Sequence, residues 1–191
     1  LHSLFQGITF NKGTIKSGLI EIPAFKDKKI KFKSSKESEV EKFKVEDVSA
    51  FQFLNDKNKT EKYITLRIGH NKLFNPTKFN IEKNKYFEKI VKQGKTSVYS
   101  IHFVGTGMLG RNSTYKYEAV SYFLQRENED FAFAIGTYRS DLNFMSGYNL
   151  YAITEINFEE ICPTFTKKLI EADLRSTEYF KIVAIYEENC G

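Results

Sequence analysis

Cys162 and Cys190 are the only cysteines in this chain of 191 residues, and both lie near its end. The stretch between them reads as two short helices. Pro163 suits a first helical position, where its missing N–H would be unpaired anyway. Phe165 and Leu169 are four apart and Ala172 follows at three, so they share one helical face. Asp173, Leu174 and Arg175 form a short connection, and Ser176 caps a second helix with Glu178 in its first turn. Tyr179, Ile182, Val183 and Tyr186 make a second apolar stripe. A short connection implies antiparallel neighbours. Helices of about ten and thirteen residues are about 15 and 19 Å long, so the start of one lies beside the end of the other. The cysteines occupy those two places. Axes about 8–10 Å apart let flanking residues converge to the roughly 5.5 Å that a disulfide needs. The spacing therefore predicts a Cys162–Cys190 disulfide; the alternative is two reduced, unrelated thiols.

The Cys162-Pro163 pair, the apolar helix, and the aromatic helix ending Tyr186-Glu187-Glu188-Asn189-Cys190 resemble the end of a family of exported proteins of Bacteroidota. The start is similar to that family too, in Gly7-Ile8-Thr9-Phe10-Asn11-Lys12-Gly13-Thr14-Ile15-Lys16-Ser17-Gly18-Leu19-Ile20. A looser match covers Tyr86-Phe87-Glu88-Lys89-Ile90-Val91, then Gly94-Lys95 and Ser97-Val98-Tyr99. The resemblance implies a periplasmic or secreted location and a β-rich fold. It brings no catalytic residues with it.

Most of the remaining chain alternates with the period of strands. Residues 7–23 read as a hairpin around Asn11-Lys12-Gly13. In residues 28–34, Ile30 and Phe32 point one way and Lys29, Lys31 and Lys33 the other. Further strands run through Val40, Phe43 and Val45, through Phe51 and Phe53, and from Tyr63 to Ile68. Residues 69–84, with Pro76 and several Asn, are the least regular part. Tyr86–Val91 reads as strand or helix, followed by a turn at Gly94 and a strand at 96–103. Residues 115–124 and 131–138 form a third pair, and a short helix is expected from about Glu155 to Ile161. The expected fold is α+β: a mostly antiparallel β meander or partly closed barrel over residues 7–153. Residues 154–191 add a C-terminal two-helix hairpin packed on it as part of a single globular unit. Residues 1–6 read as the last part of an export signal or a tag remnant and carry no fold argument.

Charge narrows the function. The net charge of +5 rests mainly on Lys, with acidic residues interspersed. Arg would be expected at planar phosphate or base contacts, so the composition argues against nucleic acid, and the basic strand reads as a solvated edge. No apolar run approaches the roughly 20 residues that span a bilayer as a helix.

The chemical motifs are weak. Gly105-Thr106-Gly107-Met108-Leu109-Gly110 has dinucleotide-loop spacing, but a helix has to open there, and a strand-like segment follows. It reads as an unoccupied hairpin loop, or one covering a ligand, with Arg111 as the candidate ligand-binding residue for an anion. His2, His70 and His102 are scattered without metal-ligand spacing. The adjacent acids Glu159-Glu160 and Glu187-Glu188 read as solvated helix ends. No catalytic residue, cofactor or metal is expected. The reading is a non-enzymatic exported envelope protein that binds a protein, a glycan or a small apolar ligand. The alternative is a hydrolase whose carboxylate acid/base pair is assembled by the fold.

Overall fold

A computed structural model describes residues 6–108, 113–142, 144–146 and 150–190. The architecture is α+β, a large mostly antiparallel sheet partly closed into a ring, with C-terminal helices. The chain divides into two compact units, one of residues up to Arg67 with Glu82–Ile90, the other of Ile68–Ile81 with the chain from Val91 onward.

The first unit is built from β1 (Gln6–Phe10), β2 (Ile15–Glu21), β3 (Lys29–Lys33), β4 (Glu41–Lys44) and β5 (Val48–Leu54). It also takes the matching parts of β6 (Thr60–Lys72) and β7 (Asn75–Lys92). Hydrogen bonding runs in the order β6-β5-β1-β2-β3-β4. Alternation decides what is buried: Ile30 and Phe32 are inside, while Lys29 and Lys31 are exposed and Lys33 half-buried. Their core partners are Ile8, Ile20, Val48, Phe51 and Phe53. Tyr63 stacks on Phe51 with ring centroids 4.7 Å apart, and Phe87 meets Phe51 edge-on at 5.4 Å. Full burial of Phe51 stabilises by roughly 1.5–3 kcal/mol through area alone, and the half-buried Tyr63 and Phe87 contribute less.

The second unit carries β8 (Ser97–Met108), β9 (Thr114–Gln125), β10 (Phe131–Arg139) and β11 (Phe144–Ser146). They hydrogen-bond in the order β7-β8-β9-β10-β11, and β10 also pairs with β6, which closes the ring. Three helices follow: α1 (Leu150–Phe158), α2 (Pro163–Ala172) and α3 (Lys181–Cys190). They bury Phe158, Phe165, Leu169, Ile182 and Val183 in one core with Val98, Leu124, Phe133 and Ile135 of the strands.

The tail follows the sequence closely. Cys162 is the N-cap of α2 with proline just inside, and Asp173, in the left-handed conformation, ends it. Cys162 and Cys190 are joined in a disulfide with Cα atoms 5.7 Å apart. The second helix is shorter than its apolar stripe suggests. Ser176–Glu178 is a single 3-10 turn, and α3 starts only at Lys181. The reason is local: the N–H of Tyr179 bonds back three residues to Ser176, and the N–H of Ile182 likewise to Tyr179.

Two expectations are corrected. Residues 69–84 are not irregular but continue β6 and β7, joined by the two-residue turn Leu73-Phe74. Tyr86–Val91 is strand. Pro76 is tolerated because it is the second residue of β7, near a strand end where an N–H can go unpaired. The helix before the tail begins at Leu150, five residues earlier than its sequence suggests. Its buried Thr154 and Asn157 bond back through their side chains to the Leu150 and Ile153 carbonyls within the helix.

Candidate functional site

The β8–β9 hairpin holds its register from Ser97 opposite Gln125 to Met108 opposite Thr114. Gly105 faces Tyr117, and Gly107 faces Tyr115. A Cβ on Gly105 would lie 2.3 Å from Tyr117 Cζ, and one on Gly107 would lie 2.4 Å from Tyr115 Cε1. The two rings therefore lie across the two glycines, in the space that side chains would otherwise fill. This is a correction to the loop reading: Gly105–Met108 is strand, and its glycines are sites of close ring approach. No helix follows them, since the next described element is β9, so the dinucleotide-binding requirement is unmet.

β10 completes the face. Arg139 pairs with Ala119, two residues along β9 from Tyr117. Its guanidinium carbon sits 3.9 Å from the Tyr117 ring centroid, a close cation–π contact. Arg139 Nε donates to Asp141 Oδ1 at 3.1 Å and Nη2 donates to Oδ2 at 2.7 Å, a two-point clamp. The Tyr115 hydroxyl donates to Asp141 Oδ2 at 2.6 Å. Nη2 also donates to that hydroxyl oxygen at 3.3 Å. The Arg139 side chain remains partly exposed, and its Nη1 edge has no partner among the described residues.

The electrostatics follow from these contacts. The hydrogen bond from Arg139 holds the Asp141 carboxyl below its usual range. The bond to Asp141 pushes the Tyr115 phenol up, and the same carboxylate raises Arg139. The cluster presents a fixed cationic donor edge, a carboxylate and two phenol rings, with the charges of Arg139 and Asp141 balanced.

Arg111 lies outside the described residues, between β8 and β9. Cys162 and Cys190 form the disulfide and line no chemistry. Lys31 of the basic strand is bonded to Glu21 at 2.9 Å, and Lys33 Nζ donates to the Lys36 carbonyl at 3.2 Å. That face is therefore not a bare basic groove. Among the described residues no three His, Cys, Asp or Glu side chains gather as a metal site. A shallow groove between α1 and α2 is lined by Pro163 and Ile170 together with Glu155, Glu159, Lys167 and Glu171.

Glu88 is the residue that sequence reasoning missed. It is fully buried in β7, and neither carboxylate oxygen has a hydrogen-bond partner among the described residues. Burial alone pushes its carboxyl well above the ordinary value. A general acid is held neutral in the same way, but it must meet its substrate, and Glu88 has no exposed surface. Alternation in Tyr86–Val91 could have found it, since a strand puts Glu88 on the face of Tyr86 and Ile90.

No helix among the described residues is long and apolar enough to cross a membrane. No family model, curated protein or solved structure matches the chain.

Proposed function

We propose that this is an exported, non-enzymatic envelope protein, periplasmic or secreted, and that it binds a neutral glycan on the Tyr115–Tyr117–Arg139–Asp141 face. The observation that carries the reading is the balanced Arg139–Asp141 pair set beside two tyrosines. A sugar hydroxyl both donates and accepts, so a donor edge next to a carboxylate matches neighbouring hydroxyls without a net charge requirement. The Tyr115 ring, which carries no guanidinium, offers apolar area against sugar C–H groups at low entropic cost. The geometry is held before any ligand arrives, because Asp141 clamps the guanidinium and Tyr117 supports it. The export assignment is supported by the Cys162–Cys190 disulfide, since such bonds persist in oxidising compartments.

Affinity electrophoresis through gels containing soluble neutral polysaccharides tests this, followed by calorimetric titration of whichever one retards the protein. Arg139→Ala and Tyr117→Ala are each expected to weaken binding at least about tenfold, the range of an anchoring residue. The bound glycan should keep a constant number of reducing ends during incubation. Retardation that is equal for the native protein and Arg139→Ala would remove the site. A steady rise in reducing ends would favour the hydrolase alternative.

A further inference from the structure

The turn joining β6 to β7 consists of Leu73 and Phe74, which are 87% and 97% exposed. Two-residue hairpin turns normally use Asn, Asp or Gly, whose backbones suit the sharp reversal. Neither Leu73 nor Phe74 has a positive φ. The turn gains nothing from these residue types, and neither does the core. Their apolar area is left in water at the convex apex of a long hairpin.

The charge flanking the tip in the hairpin is of one sign only. Lys72 precedes it and Lys78 follows it, both exposed, and neither is in an ion pair among the described residues. The sequence from Lys62 to Ile81 contains no Asp or Glu. The hairpin strands next to the tip therefore offer an anionic partner only positive charge. Two side chains on a convex apex are far short of the roughly 800 Å² per partner in a stable protein interface. A bilayer needs no such matched surface, because lipid chains close around whatever enters them.

We propose that the Leu73–Phe74 tip is a membrane-docking finger for anionic phospholipid bilayers. The two apolar side chains enter the headgroup–acyl boundary, and Lys72 and Lys78 remain among the lipid phosphates. The proposal is independent of glycan binding on the β8–β9 face.

Flotation with vesicles tests it, using phosphatidylcholine alone and phosphatidylcholine mixed with phosphatidylglycerol. The native protein is expected to float with the mixed vesicles, weakly with the neutral ones, and less as salt rises. The double variant Leu73→Ser/Phe74→Ser should lower partitioning at least about tenfold, from the apolar area lost. Lys72→Gln/Lys78→Gln should lower it about tenfold or more on the mixed vesicles only. All four positions are exposed, so unchanged thermal unfolding is the control for folding. The chain has no Trp, so Phe74→Trp provides a single reporter whose emission should shift to the blue on the mixed vesicles. Absence of native binding would overturn the proposal, as would equal binding of the tip double variant or a tryptophan that stays in water. Any of these would leave the exposed pair with no role at a bilayer.

Discussion

Charging a carboxyl group with no partner inside a protein costs several kcal/mol, so burial raises the Glu88 carboxyl well above its ordinary value in the folded chain. In the unfolded chain it ionises at the ordinary value near 4.5. Between that pH and the raised folded value, the native state holds one more proton than the unfolded state. The stability associated with Glu88 is therefore fully present below the unfolded value and is lost as pH rises toward the folded one. Urea midpoints at pH 5 and pH 8 measure this. Glu88→Gln is expected to flatten the slope, and Glu88→Leu to raise stability near neutral pH by about 1–3 kcal/mol. A Gln variant that keeps the native slope would assign it elsewhere. The glycine–tyrosine pairs make a second residue-level case. Gly105→Ala places a Cβ 2.3 Å from Tyr117 Cζ and should cost about 1–3 kcal/mol. In Tyr117→Ala the same change should cost much less. Chemical denaturation of the four proteins gives the coupling, and strict additivity would contradict the packing.

At the scale of elements, the tail is where stability can be removed without touching the proposed binding face. Cys162 sits at the start of α2 and Cys190 at the end of α3, so the bond pins a turn that would otherwise fray. Changing both to Ser is expected to destabilise by roughly 2–4 kcal/mol and leave glycan binding intact. Thiol titration of the denatured, unreduced protein should find no free thiol; two would refute the bond. Just before α3, Glu178 binds Lys181 Nζ at 2.6 Å and the Arg175 N–H at 3.3 Å. These contacts, with Lys181 first, lower its carboxyl to about 2. Any stability from this exposed group is present above the unfolded carboxylate value and is lost as pH falls toward 2. Carboxyl NMR should find Glu178 still ionised at pH 3.

For the whole molecule, the main consequence of topology is kinetic. Most strands join by hairpins, but β10 also pairs with β6, from which three other strands separate it in the chain. Closing that ring costs loop entropy before its contacts form. Refolding of the oxidised protein is therefore expected on the millisecond-to-second scale of sheet-dominated domains. Stopped-flow measurement would check this, and a microsecond main phase would be inconsistent with the ring closing at the rate-limiting step.

What the sequence determined alone is what local chemistry controls. Proline at the start of α2, side chains alternating in β3, and apolar stripes at helical spacing were legible because each depends on neighbours in the chain. The Cys162–Cys190 pairing was legible because no other cysteine competes. The tertiary structure decided the rest through non-local partners. Residues 69–84 looked broken, with their Pro and Asn, yet they extend two long strands, whose ladders are set by partners distant in sequence. Gly105 and Gly107 looked like loop residues, but the demand for glycine comes from rings on the opposite strand. Arg139 and Asp141 gave no signal, because only the β9–β10 register brings them to Tyr115 and Tyr117. A site assembled across strands depends on register, and register depends on long-range pairing and burial that no single stretch of sequence contains.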